Sequence, residues 1–203
     1  MDTLSVLLDS SIPYGEVLRR LAGEGWSAGG AGASVEQVAR AHDAPAELRD
    51  WWLAPVGRGI SYALDRGMPR ILSPEEWVTS FPEDHIFAFT EEAIGYWSLD
   101  PAHRVHWIPA PETQPVAVTP LRSWLASFWI MEAIQSTTEH QSAVLDDGAL
   151  REALVSLQPL PLEAWPWPAA PTRFYGAPDR FAIVFAAPEG GWAFWEGLRA
   201  YNG

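Results

Sequence analysis

Apolar positions recur in this chain with two periods, and the switch between them separates helical from extended stretches. Near the start, Val17, Leu18 and Leu21 share a helical face. Pro13 sits in the first turn, where its missing N–H costs nothing, and Gly23 closes the run. Ser34, with Gln37 three residues on, has the form of a capping box ahead of Val35, Val38 and Ala39. A short helix over 46–53 carries Leu48, Trp51 and Trp52. The clearest local signal is Ser73-Pro74-Glu75-Glu76-Trp77. Ser73 caps, Pro74 takes the first helical position, and Glu76 reaches back to the cap. The acid pair also suits the positive end of the helix dipole. Pro82 ends this helix.

The period then shortens. Residues 86–90 and 94–99 predict two aromatic strands around an acidic turn at Glu91-Glu92. Further strands are predicted at 105–108 and 115–118. Thr119-Pro120 opens a long helix, in which Leu121, Trp124, Leu125, Phe128 and Trp129 form one apolar face. Asp146-Asp147 starts another, aligning Leu150, Ala153, Leu154 and Leu157. A Pro-dense connector at 158–171 holds Trp165 and Trp167 and leads to strands at 173–176, 181–186 and 192–196. Three strands alone make a weak domain, so they are expected to join the earlier ones in one common sheet. The reading is a single α+β domain over 1–203, with an antiparallel sheet flanked by helices.

Composition narrows the function. A hydrophobic share of 48% excludes a disordered chain. Twenty-six acids face 13 bases, a formal charge of −13, and every base is Arg. That balance opposes binding to phosphate backbones, so nucleic acid is not an expected partner. It favours a basic protein partner, or solubility alone. The absence of Cys removes disulfides and thiolate sites. Met1-Asp2-Thr3 does not begin a signal peptide, and no run of about 18 apolar residues predicts a membrane span. The cytoplasm is the expected compartment.

Candidate chemistry is sparse. His103 and His106 are three apart on a predicted strand, which puts them on opposite faces, and Glu139-His140 offers no better metal site. The Gly29–Ser34 loop precedes a helix but lacks the Lys-Ser/Thr of a phosphate loop. Carboxylate pairs stand at Glu75-Glu76, Glu91-Glu92 and Asp146-Asp147, and the 12 Trp would suit sugar stacking. Helix starts and a hairpin tip account for the same pairs. A sugar-acting enzyme is therefore the weaker expectation, and no enzyme, metal or cofactor is expected. The expected partner-binding residues are Glu91 and Glu92 at the hairpin tip, Trp97 as an apolar anchor, and Asp100 at the strand end.

The layout resembles the SUKH superfamily of immunity and regulatory proteins. The resemblance runs over roughly 45–135, through Pro45-Ala46-Glu47-Leu48-Arg49-Asp50-Trp51-Trp52 and Ile71-Leu72-Ser73-Pro74-Glu75-Glu76-Trp77. It continues through the aromatic hairpin, Ile86-Phe87-Ala88-Phe89 and Gly95-Tyr96-Trp97-Ser98-Leu99-Asp100, to Pro115-Val116 and the helix of Trp124, Leu125 and Phe128. The Asn-Gly that often follows the aromatic pair is replaced by Leu53-Ala54-Pro55. The resemblance implies an α+β fold, no cofactor, and an immunity role in which the protein neutralises a cognate polymorphic toxin. Many such toxins are basic nucleases, which agrees with the charge. The rival expectation is a SUKH-like adaptor or regulatory module without a toxin.

Overall fold

The computed structural model describes residues 9, 11–23, 33–54, 69–80, 85–90, 95–109, 117–136, 140–163 and 171–198. The fold is α+β, with two antiparallel five-stranded sheets. The chain divides into two compact units, Ser10–Leu125 and one containing Ala126–Gly203.

The first unit opens with helices α1 (Tyr14–Gly23), α2 (Val35–Arg40) and α3 (Ala46–Leu53). The capping box of α2 is present: Gln37 N–H donates to Ser34 Oγ, and Ser34 N–H donates to Gln37 Oε1. The Asp50 carboxylate of α3 accepts from Gly15 N–H at 2.9 Å, which satisfies one of the free donors in the first turn of α1. Tyr14 is buried beside it, with the Arg122 guanidinium 5.4 Å from its ring centroid. Burial pushes its hydroxyl well above the usual tyrosine range.

Strand β1 (Pro69–Ile71) precedes helix α4 (Pro74–Ser80), and strands β2 (Ile86–Thr90), β3 (Gly95–Leu99), β4 (Arg104–Pro109) and β5 (Ala117–Pro120) follow. They form a meander in which each strand pairs with the next. Alternation along β3 and β4 turns Trp97, Leu99, Val105 and Trp107 inward. A register shift between Ile86 and Ala88 changes the parity of β2. Phe87 therefore meets Trp124 at 4.8 Å, while Phe89 lies under the Arg70 guanidinium. Gly95 leaves room for the Trp107 ring, since a Cβ there would stand 2.5 Å from it.

Helix α5 (Leu121–Ser136) follows β5 directly, and the boundary between the units falls inside it. Trp124 closes the first core, 5.4 Å from Trp97, which itself stacks 4.7 Å from Trp107. In the second unit come β6 (His140–Leu145), α6 (Asp147–Ala153), β7 (Gln158–Pro159), β8 (Arg173–Ala177), β9 (Arg180–Ala186) and β10 (Trp192–Leu198). The sheet order is β6-β10-β9-β8-β7. One face carries Phe181, edge-on to Trp129 of α5 at 5.7 Å. The other carries Ala182, Val184 and Phe194, which pack with Leu157 and, from α6, Leu150 and Ala153.

The expectation of one common sheet is overturned. The strands at 173–176, 181–186 and 192–196 lie in a second sheet, completed by β6 and β7, which the sequence pattern does not mark. The physical reason is supply: five strands with a helix on each face bury enough apolar surface to stand as a core. The connector begins as β7, whose Gln158 and Pro159 pair with β8. Trp165 and Trp167 lie outside the described residues.

Trp97 is 1% exposed at the centre of its aromatic cluster. Trp97→Ala is expected to cost about 3–5 kcal/mol. Urea denaturation of wild type and variant measures this, and a loss below about 1 kcal/mol contradicts the packing described.

Candidate partner-binding site

The sequence-predicted site does not assemble as expected. Glu91 and Glu92 lie outside the described residues. Trp97 is core, so it offers no exposed anchor to a partner. Its place follows from parity, because in β3 it shares the inner face with Gly95 and Leu99.

Asp100 works within its own turn. Its Oδ1 accepts from the backbone N–H of Ala102 and of Arg104, both at 2.9 Å. Its Oδ2 accepts from Arg104 Nε at 3.0 Å and lies 3.3 Å from His106 Nε2. The backbone N–H of Arg104, followed by His106 and the Arg104 side chain, holds this carboxyl well below the usual range, against the opposing effect of burial. The acid stabilises a turn in which His103 has φ 57°, and little of its charge is left for a partner. His103 lies in the turn and His106 in β4, so the pair does not share a metal. Among the described residues no group of three His, Asp or Glu is placed to hold one.

The other carboxylate pairs are also engaged. Glu76 takes a two-pronged contact from Arg70, at 2.7 and 2.8 Å, and accepts from Ser73 N–H to complete the cap of α4. Hydrogen bonding from Arg70 is the main cause that lowers its pKa to about 2, with burial opposing and Ser73 adding to the fall. Asp146 caps α6 through Gly148 N–H and Ala149 N–H. Asp147 accepts from Trp192 Nε1 at 2.8 Å.

Among the described residues a concave surface lies in the second unit, between α6 and the sheet face at β6 and β10. It is an open groove of about 480 Å³. Ala143, Ala149, Ala153 and Phe194 make its apolar part; Gln141, Glu152, Ser156, Arg180 and Glu196 make its polar end. The small side chains leave the space. Arg180 is fixed by Glu196 at 3.2 Å and donates to Ser156 Oγ. Glu152 is exposed and stands in no ion pair among the described residues, with Arg180 at the same end of the groove. The trough is apolar along its wall and polar at its end, where two carboxylates and one guanidinium stand, and it is open rather than enclosed as small-molecule sites are.

Beside the groove runs β6, the outer strand of the sheet, with residues 141–144 all exposed. Sequence patterning misses it because a strand exposed on both faces has no apolar alternation. The chain matches no family model, no curated protein and no solved structure. Among the described residues no helix is long and apolar enough to cross a membrane.

The Arg70–Glu76 pair has a pH signature. The folded pKa of Glu76 lies below its ordinary 4.5, so the pair's contribution is complete above 4.5 and is lost as pH falls through about 2. Glu76→Gln keeps a side-chain acceptor for the cap and removes the charge. Its urea midpoint is expected to lie below that of wild type at pH 7, with the gap closing as pH falls. A gap constant over the acid range contradicts the assignment.

Proposed function

We propose that this chain is a non-enzymatic protein-binding domain of the immunity type, which captures a basic bacterial toxin and neutralises it. The disposition of charge is the observation that carries this reading. Arg19, Arg20, Arg40, Arg70, Arg104 and Arg180 all stand in ion pairs with the chain's own carboxylates. Glu75, Glu152, Glu163 and Glu189 are exposed and stand in no ion pair among the described residues. These carboxylates leave part of the net −13 as unpaired acidic charge at the surface. Such a field draws in a basic partner, speeds the encounter and repels nucleic acid.

The SUKH kinship is part of the same proposal and rests on the resemblance over 45–135. A capped helix, an aromatic hairpin and an aromatic helix follow one another there, as α4, β2–β3 and α5. The immunity role enters with that kinship.

The test is capture on the immobilised full chain from a lysate of the native host, followed by identification, stoichiometry and co-expression. The expected result is a one-to-one complex with a basic protein whose toxicity co-expression relieves. Association is expected to slow as salt rises. Arg in place of both Glu91 and Glu92 is expected to slow it several-fold at low salt and leave the thermal midpoint unchanged. A partner whose association rate is indifferent to salt, or whose toxicity persists in the complex, overturns the reading.

A further inference from the structure

Among the described residues four strands stand at the edges of the two sheets, and three of them are poorly suited to further pairing. Strand β1 has three residues and begins with Pro69; β5 has four and ends with Pro120; β7 has two, one of them Pro159. Short length and proline are the usual means by which natural sheets refuse an extra strand. Strand β6 has neither. It runs six residues, His140 to Leu145, with no proline and no Lys, Arg, Asp or Glu. Its pairing with β10 is continuous, without a bulge to twist the edge away. Val144 is 58% exposed on it. In an antiparallel pair alternate residues turn both N–H and C=O away from the neighbour, so β6 presents a row of backbone donors and acceptors outward.

We propose that the free edge of β6 is a docking site for an extended segment of a basic protein, which adds to the sheet as a further strand beside β6. This deepens the protein-binding reading and rests on it. Period-two geometry gives the segment its recognition. Every second side chain points to the face that carries Gln141, Ala143 and Leu145, and so toward the groove under α6. The space over Ala143 takes an apolar side chain. The carboxylate of Glu152 at the polar end takes a Lys or Arg. Main-chain hydrogen bonds supply affinity, and these alternate positions supply specificity. A second copy of this chain is the less fitting occupant. Pairing β6 with its own copy brings two chains of −13 together along strands flanked by Asp146, Asp147 and Glu152.

The experiment pans a random nine-residue phage-displayed peptide library on the intact chain, with the Ala143→Arg variant as counter-target. Peptides alternating basic and apolar residues are expected to be enriched. The best of them, made synthetically, is expected to slow amide hydrogen exchange within 140–145. Methylating alternate backbone nitrogens of that peptide, in whichever frame blocks pairing, is expected to weaken it at least tenfold, as is Glu152→Arg in the protein. No enrichment, protection mapping elsewhere, or equal affinity of both methylated frames overturns the proposal. So does a free chain that sediments as a dimer and becomes monomeric on Ala143→Arg, which assigns the edge to a second copy. Salt-sensitive capture of a basic partner that leaves 140–145 unprotected removes this site and keeps the charge-based reading. A peptide that pairs with β6 while no basic partner is captured does the reverse.

Discussion

From Trp124 to Met131 every residue of α5 is buried, so no face of that stretch is left for water and apolar partners must surround it. Trp124 takes Phe87 and Trp97 from the first sheet, and Trp129 takes Phe181 from the second. One helix thus feeds two cores. The demand reaches back into the strands that supply those partners. Phe87 reaches Trp124 because β2 shifts its register, and Trp107 can lie close because residue 95 has no Cβ. Aromatic rings dominate these contacts, with edge-to-face geometry at the Phe87, Trp124 and Phe181 sites.

The parts of this arrangement that obey local rules were readable from the residues. The caps at Ser34, Ser73 and Asp146, the aromatic strands, and the start of α5 after Pro120 all follow from propensity and period. What could not be read depends on partners distant in sequence. The apolar face of Leu121, Trp124, Leu125, Phe128 and Trp129 suggested one side for packing, yet Ala126, Ile130 and Met131 are buried as well. The second sheet was hidden for a related reason. Strand β6 has no inward face rich in apolar residues, so nothing in His140–Leu145 announces pairing, and without it the C-terminal strands looked too few to stand alone.

The candidate site was less legible than the fold. Acidic residues draw attention as charges, but their roles differ with the donors near them. Asp100 and Glu76 lie among backbone N–H groups and arginines, and their charge is consumed locally. Glu152 lies in the last turn of a short helix and stands in no ion pair among the described residues, which its sequence neighbours do not reveal. Trp97 illustrates the same limit for apolar residues. An anchor and a core ring have identical sequence signatures in an alternating strand, and only the packing of α5 decides between them.

The strand order of the second sheet imposes a schedule on the growing chain. In the first sheet each strand pairs with the one made just before it, so structure can accumulate as residues appear. In the second, β6 comes first along the chain, yet among the described residues it pairs with β10, which follows the other strands of that sheet. Until β10 emerges, β6 lacks the partner it has among the described residues, and β9 lacks one of its two. Closing the second sheet therefore waits on a pairing distant in sequence, with the loop-closure cost that such a pairing carries.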